Sequence, residues 1–116
     1  MAGKLGLFGG TFDPPHMGHL VLARSLAEAA GLDRVIVLPS RQPPHKLGRT
    51  ISPADHRLRM VQLAVEGDRL FEVDDWELRQ PGPNYTLLTV RHFQAALPQG
   101  RLYWLVGCDS LAEMPT

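Results

Sequence analysis

Short apolar runs alternate with helix-like segments along this chain, and that alternation most restricts the folds open to it. The runs are only a few residues long, whereas the segments between them place apolar residues three and four positions apart. Strands alternating with helices are typical of a parallel sheet covered by helices on both faces. The sequence therefore predicts an α/β fold, a Rossmann-like doubly wound parallel sheet. Strands are predicted at 4–8 (ending in Gly9-Gly10), 34–39, 70–73 and 101–107, and helices at 16–30, 52–67 and 86–97.

Length and composition suit one globular domain, which we predict to occupy residues 1–116. The chain has 116 residues, of which 44% are hydrophobic and 21% charged, so disorder throughout is excluded. A single cysteine, Cys108, excludes an internal disulfide framework and indicates a reducing, cytoplasmic setting. No apolar run approaches the roughly 20 residues that a membrane-spanning helix needs, and the first residues do not resemble a secretory signal. We therefore expect no membrane partner.

The charge is balanced overall but divided unevenly along the chain. Twelve basic and twelve acidic residues give a net charge of zero, which argues against a sequence-independent nucleic-acid partner. Residues 1–50 carry a basic excess and residues 51–116 an equal acidic one. A small anionic ligand held by the first half would suit this pattern, although chance variation of surface charge would also produce it.

Capping residues set the expected ends of the helices. Gly31 stands where a helix C-cap glycine belongs. Ser52 is expected to cap the second helix with Pro53 at its first helical position, and Gly67 to stop it. On that helix the side chains of Arg57 and Arg59 are expected to be solvated. The aromatic residues of the later half are expected in the core or an interface; these are Trp76, Tyr103 and Trp104.

The turn after the first strand carries the residues best suited to chemistry. Gly9 and Gly10 would let the backbone approach a ligand closely, and the helix that follows presents free N–H groups suited to phosphate. His16 and His19 stand three apart at that helix start, so both can face one side and donate hydrogen bonds to phosphate oxygens. Gly18 between them would let a ligand sit close to the helix. A plain tight turn, ordinary capping histidines and a two-histidine metal site remain open alternatives.

The segment Gly-Gly-Thr-Phe-Asp-Pro-Pro-His-Met-Gly-His-Leu at 9–20 resembles the signature of the nucleotidylyltransferase superfamily. Its form is similar to that of bacterial nicotinate-nucleotide adenylyltransferases in particular. Three other segments agree with that family: Pro-Pro-His-Lys at 43–46, Asn-Tyr-Thr at 84–86 followed by Thr89, and Gly-Cys-Asp-Ser at 107–110. The resemblance spans essentially the whole chain.

The resemblance implies transfer of an adenylyl group from ATP to nicotinate mononucleotide, giving deamido-NAD and pyrophosphate with Mg²⁺ bound to ATP. It implies His16 and His19 as catalytic contacts to the ATP phosphates. It assigns ATP binding also to Gly9, Gly10, Thr11, Phe12 and Asp109, and mononucleotide binding to Thr11, Phe12, His45, Lys46, Tyr85 and Thr86. A resident protein metal site is not implied. Helix N-capping is the alternative interpretation of both Thr86 and Asp109.

The chain departs from the family in its later part. The family continues with a tryptophan that stacks on the nicotinate ring, a fifth strand and an Ile-Ser-x-Thr-x-x-Arg segment that binds the ATP phosphates, and no Ser-x-Thr-x-x-Arg occurs here. We therefore expect the sheet to be incomplete at its C-terminal end and the chain to be part of a longer enzyme. A nucleotide-binding or self-associating fragment without catalysis, and a related enzyme such as phosphopantetheine adenylyltransferase, are the alternatives. An uncovered strand edge also predicts a homo-oligomer or poor solubility of the isolated chain.

Overall fold

The computed structural model describes residues 3–10, 12, 17–40, 53–80 and 86–105, with the side chains of Met17 and Thr86 left out. Strands and helices alternate through these residues, as the sequence predicts. The elements are β1 (Lys4–Gly10), α1 (Met17–Ala30), β2 (Arg34–Pro39), α2 (Ala54–Ala64), β3 (Phe71–Val73), α3 (Trp76–Arg79), α4 (Thr86–Ala96) and β4 (Arg101–Trp104).

The four strands form one parallel sheet in the order β3-β2-β1-β4. β1 lies second from one edge and pairs along most of its length, with Gly6 opposite Val35 of β2 and opposite Tyr103 of β4. β3 pairs with β2 through Val35 opposite Phe71. The chain therefore adds β2 and β3 on one side of β1 and β4 on the other. This confirms the predicted parallel α/β sheet.

Two apolar clusters cover the two faces of the sheet, because successive side chains of a strand point to opposite faces. Phe8, Val35 and Val37 pack on one face with Ala23 and Ala27 of α1, and α2 adds Val61 to the same cluster. On the other face Leu7, Ile36 and Leu38 pack with Phe93 of α4. Trp76 of α3 and Trp104 of β4 are half-buried against this second cluster, as the sequence predicts for those aromatic residues. Helices on both faces are thus confirmed.

A glycine ends α1 in the manner that the sequence predicts. Gly31 has φ +68°, a conformation that glycine adopts without the steric cost of a Cβ. Its N–H donates to the carbonyl of Glu28 at 3.4 Å, and the N–H of Leu32 donates to Ala27 O at 2.8 Å. This pair of bonds is the Schellman arrangement, which satisfies two free carbonyls of the helix end and turns the chain directly into β2.

The predicted bounds of α2 and β4 are wrong by one to three residues. α2 begins at Ala54, with Pro53 as its N-cap at φ −54° and ψ 146°, so Pro53 precedes the first helical position rather than filling it. The helix ends at Ala64, and Gly67 at φ +81° lies in the turn beyond. β4 is Arg101–Trp104, Leu105 beyond it still donates its N–H to Leu7 O of β1 at 2.9 Å, and residues 106 and 107 of the predicted strand lie outside the described residues.

The short helix α3 was not predicted from the sequence. Its first backbone N–H, from Trp76, donates to Asp74 Oδ1 at 2.8 Å, and Arg79 Nε donates to Asp75 Oδ1 at 3.0 Å. The Trp76 ring stacks on the His92 ring of α4, with 4.2 Å between centroids and 15° between planes. These local bonds and one stacked pair hold a single turn that is too short for a helical apolar pattern to show. In the described part of the chain no helix is long and apolar enough to cross a membrane.

Candidate functional site

The carboxyl ends of the strands meet at one edge of the sheet. The two residues of the predicted glycine turn, Gly9 and Gly10, are the last two residues of β1 rather than a turn beyond it, and they lie at the centre of this edge. Gly10 is opposite Pro39 in the register, and the N–H of Ser40 donates to Gly10 O at 2.8 Å. The chain moves outward from β1 in opposite directions on its two sides, so the strand order reverses between β1 and β4. A reversal of this kind opens a crevice at the carboxyl edge where α/β proteins bind ligands. The topology therefore supports the location predicted from the sequence.

Two aromatic rings occupy the space beside Gly9 and Gly10. A Cβ on Gly9 would lie 3.1 and 3.2 Å from two ring carbons of Trp104, and one on Gly10 would lie 3.3 Å from the Phe12 ring. Both distances are tight for a real Cβ. These glycines therefore leave room, first of all, for the rings of Trp104 and Phe12 to pack against β1. The interpretation from the sequence missed this explanation.

Phe12 is the one described non-glycine residue in the left-handed region, with φ 52°. Its side chain is buried, and its ring meets that of Phe8 edge-on with 5.6 Å between centroids. A bulky residue with positive φ costs free energy, which burial of the ring offsets here. The Phe12 ring thus belongs to the core, and its backbone is the part available to line the crevice.

His19 lies in the first turn of α1, next to these rings. Its ring is edge-on to Phe8 at 6.4 Å between centroids, and the residue is half-buried. Residues 17–19 form the first turn of α1, where backbone N–H groups have no acceptor within the helix. Backbone donors and the His19 imidazole therefore lie side by side at the start of α1. The structure therefore brings Gly9, Gly10, Phe12 and His19 together at the end of β1. The other predicted site residues His16, Thr11, His45, Lys46, Tyr85 and Asp109 lie outside the described residues, and Thr86 is described by its backbone alone, as the first residue of α4.

A buried polar cluster lies beside the crevice, at the end of β2. Glu77 of α3 is 2% exposed, and its carboxylate accepts hydrogen bonds from Ser40 Oγ at 3.0 Å and from Thr89 Oγ1 at 2.5 Å. Burial raises the pKa of the Glu77 carboxyl, while the hydroxyl hydrogen bonds from Thr89 and then Ser40 lower it by less. These hydroxyls hold the carboxylate in a place where water does not reach it.

Arg57 belongs to the same cluster, and the prediction that its side chain is solvated is wrong. It is 1% exposed, and Nη1 donates to the carbonyl of Ser40 at 2.5 Å. Arg57 lies four residues before the buried Val61, which lies four before the buried Val65, so all three share one face of α2. That spacing is the sequence pattern that could have found it. The neighbouring Arg59 is exposed, as predicted.

Metal-binding side chains are not grouped in the part of the chain that the structure describes. No three His, Cys, Asp or Glu side chains there lie close enough together to hold a metal ion. Any divalent cation that works in this crevice would have to be held by other ligands, of which the phosphate oxygens of a nucleotide are the obvious class.

The strand order and the glycine turn at the reversal define a doubly wound parallel α/β protein with a ligand crevice at its carboxyl edge. A family model described as cytidylyltransferase-like matches residues 7–116, and the chain belongs to that family. Curated relatives are similar over 113 residues, 97% of the chain. One from Symbiobacterium thermophilum is 46% identical and one from Neisseria meningitidis serogroup C 48% identical, both named "probable nicotinate-nucleotide adenylyltransferase". The chain spans about half the length of these relatives, 54% and 57%.

A solved structure shares the fold. The Plasmodium falciparum nicotinic acid mononucleotide adenylyltransferase complexed with NaAD superposes with a TM-score of 0.72 at 18% identity, covering 96% of this chain and 55% of that one. At this identity the likeness concerns the fold alone. It agrees with the parallel sheet described above.

Proposed function

We propose that the chain forms the catalytic core for adenylyl transfer from ATP to nicotinate mononucleotide, giving deamido-NAD and pyrophosphate in NAD biosynthesis. One observation carries the proposal. The glycine turn and His19, from the segment that resembles the nicotinate-nucleotide adenylyltransferase signature, lie together where the strand order reverses. The names of the curated relatives support the same reaction.

The reaction asks for positioning and charge stabilisation more than for a strong base. A phosphate oxygen of the mononucleotide forms a bond to the α-phosphorus of ATP, the bond from that phosphorus to the β-phosphate oxygen breaks, and pyrophosphate leaves with its electron pair. A phosphate monoester is already ionised near neutral pH, so no proton has to be removed first. In this proposal His16 and His19 donate hydrogen bonds to the ATP phosphates, alongside free N–H groups of α1.

The remaining assignments extend along the same edge of the sheet. The backbone from Gly9 to Phe12 lines the site shared by the two nucleotides, and Asp109 contacts the adenosine ribose. Mg²⁺ bound to the ATP phosphates would neutralise part of their charge. In this proposal the backbone N–H of Thr86, at the start of α4, contacts the nicotinate carboxylate, and the sequence resemblance adds Tyr85, His45 and Lys46 as further mononucleotide contacts.

The decisive experiment measures two products in one assay. The protein, isolated at its natural length, is incubated with ATP, Mg²⁺ and nicotinate mononucleotide, and pyrophosphate release and deamido-NAD mass are followed together. Equal amounts of both support the proposal. Binding of ATP without release of pyrophosphate would make the chain a nucleotide-binding protein instead. Faster turnover with 4′-phosphopantetheine than with the mononucleotide would assign it to the related adenylyltransferase.

Replacing His19 tests its assigned role. His19→Ala is expected to lower kcat by about 100-fold, because a charge-stabilising donor is lost in the transition state. His56, exposed on α2, supplies the matched control, and His56→Ala is expected to keep full activity. A His19→Ala protein with unchanged kcat and an unchanged far-ultraviolet spectrum would contradict the role. His16→Ala is expected to behave like His19→Ala.

A further inference from the structure

The Glu77 carboxylate bridges two parts of the chain that are far apart in sequence. One oxygen accepts from Ser40, the first residue after β2, and the other accepts from Thr89 in the first turn of α4. The side chain of Thr89 is fully buried, so this bridge is not a surface contact that water can replace. One carboxylate therefore links the end of β2 to the first turn of α4.

Ser40 is in turn fixed to the centre of the crevice. Its N–H donates to Gly10 O at 2.8 Å, and its carbonyl accepts from Arg57 of α2 at 2.5 Å. These two bonds use backbone atoms of Ser40 and leave its hydroxyl for Glu77. Ser40 is thus held in place next to the glycine turn. Through Glu77, the position of α4 is tied to that of Ser40.

The first turn of α4 is the part of the helix that a ligand can use. The first backbone N–H groups of a helix have no acceptor within it, and Thr86, Leu87 and Leu88 occupy those positions in α4. Thr89 lies three residues after Thr86, so it lies on the same side of the helix one turn away. Stacking of Trp76 on His92, three residues after Thr89, holds α3 against α4 as well.

Joining two hydroxyl groups through a buried carboxylate costs free energy, because the charged group is removed from water. Burial raises its pKa, which shows that the charged form is disfavoured by its surroundings. Apolar residues of similar size would often stabilise a core as well or better. What a carboxylate adds is geometry, because two oxygens at a fixed spacing accept from two donors in defined directions.

We propose that Glu77 is a positioning residue for the mononucleotide subsite: by bonding Ser40 and Thr89, it sets the place of the free N–H groups of α4 relative to the glycine turn. The inference rests on the proposed function, because it concerns the substrate assigned to the start of α4. Glu77 itself touches no substrate. Its loss is expected to weaken mononucleotide binding and to leave ATP binding unchanged, because the bond between Ser40 and Gly10 is between backbone atoms and does not depend on the carboxylate.

Two substitutions of Thr89 separate this role from simple packing. Thr89→Val keeps the shape and removes the hydroxyl, whereas Thr89→Ser keeps the hydroxyl and removes a methyl group. If positioning through Glu77 matters, Thr89→Val raises KM for nicotinate mononucleotide by about tenfold, the cost of about one good hydrogen bond, and Thr89→Ser leaves it within about twofold. If Thr89 only packs, Thr89→Ser raises this KM more than Thr89→Val does, because Thr89→Ser opens the larger cavity.

Glu77→Gln provides the second test, and Glu72→Gln is its matched control. Glu72 is an exposed residue of β3 paired with Arg34, so its replacement removes the same charge elsewhere. Glu77→Gln is expected to raise KM for the mononucleotide, as Thr89→Val does, and to leave KM for ATP unchanged. Glu72→Gln is expected to change neither KM. All variants are made in the protein at its natural length, and thermal unfolding checks that each is folded at the assay temperature.

The outcomes separate the two proposals. Unchanged mononucleotide KM in folded Thr89→Val and Glu77→Gln, with normal turnover by the parent protein, would overturn the positioning role and leave the proposed function standing. An equal rise of KM for ATP and for the mononucleotide would also overturn it, because it would indicate general loosening of the crevice. Absence of deamido-NAD formation by the parent protein would overturn the proposed function itself, whatever the variants do.

Discussion

Gly9 and Gly18 belong to the same sequence segment, but their surroundings are opposite. Gly9 faces the Trp104 ring, whereas a Cβ on Gly18 would meet nothing within 4 Å among the described residues, apart from its chain neighbours and the backbone of its own helix. Gly18 is also exposed and helical, where glycine is less favourable than alanine by about 1 kcal/mol. The fold therefore explains Gly9 and gives no reason for Gly18. A ligand close to the start of α1 is the explanation that the proposed function supplies.

Alanine at Gly9 is expected to destabilise the protein. The added Cβ forces the Trp104 ring to move by a few tenths of an ångström in a packed cluster, at a cost of about 1–3 kcal/mol in the free energy of unfolding. Urea unfolding measures the loss. A smaller side chain at position 104 is expected to restore part of the stability, so that Gly9→Ala costs less in a Trp104→Leu background. Equal costs in the two backgrounds would show that the ring is not the cause.

Alanine at Gly18 is expected to do the reverse. Gly18→Ala should raise the free energy of unfolding by up to about 1 kcal/mol, through the helix propensity of alanine. It should also lower affinity for ATP by about tenfold, because a methyl group enters the space assigned to the phosphates. Calorimetric titration with ATP on the same samples used for unfolding gives both quantities. Retained affinity would remove Gly18 from the ligand site.

At the scale of single elements, the short helix α3 makes the stability of the protein depend on pH through one titrating group, the Glu77 carboxyl. The raised pKa of Glu77 means that the folded protein holds this proton at a pH where the unfolded chain has lost it. The folded state is therefore destabilised as pH rises from about 4.5, the ordinary value, through the raised one. Glu77→Gln lacks this effect, so its stability relative to the parent should increase with pH over that window. Urea midpoints between pH 4 and pH 8 measure the difference.

Asp68 provides a control of opposite sign. It follows α2 and bonds Arg24 of α1, and this hydrogen bond first, with that of the Leu70 N–H second, lowers the pKa of the Asp68 carboxyl. A lowered pKa gives stability that is present above the ordinary value of 3.8 and is lost as pH falls through the folded one. Asp68→Asn should therefore cost more at pH 6 than at pH 3, and the cost should be small because the pair is exposed. The same slope in both variants would contradict the assigned directions.

Elements with a repeating pattern could be predicted from the sequence, and elements that depend on distant partners could not. α1 was predicted to within a residue, because its apolar spacing and Gly31 act locally. α3 was missed, since its single turn depends on Asp74 and on a ring of α4. Burial of Arg57 is indicated locally only by its four-residue spacing to Val61, and its hydrogen-bond partner is a carbonyl seventeen residues earlier that no local pattern identifies.

At the scale of the whole molecule, the parallel order of strands was predictable and the strand neighbours were not. Alternation predicts a parallel sheet, but it does not say that β4 adds beside β1, because that choice depends on how the helices cover the two faces. The crevice could be located because the distinctive turn follows the first strand. Its polar support from Glu77, Arg57 and Thr89 comes from three separate helices, α3, α2 and α4, and needed the structure.

The sheet edges lead to a prediction about association. In the part of the sheet that the structure describes, β4 pairs only with β1, and its residues are half-buried or exposed. An open edge of this kind pairs with other chains. The isolated 116-residue chain is therefore expected to associate as its concentration rises, which sedimentation velocity measures. A single monomeric species across the range from about 5 to 200 μM would contradict the expectation.

The place of β1 between β2 and β4 has a consequence for how the chain is made. The ribosome delivers β1 first, yet one of its two hydrogen-bonding edges is paired by β4, which starts at Arg101. At ordinary rates of synthesis, β1 waits on the order of ten seconds for that partner. During this interval a strand destined for the interior has an unpaired edge, the kind of surface that nascent-chain chaperones cover. Pairing of β1 on both edges is therefore complete only after Trp104 has been made, and slowing synthesis before residue 101 should prolong the period in which the nascent chain needs protection.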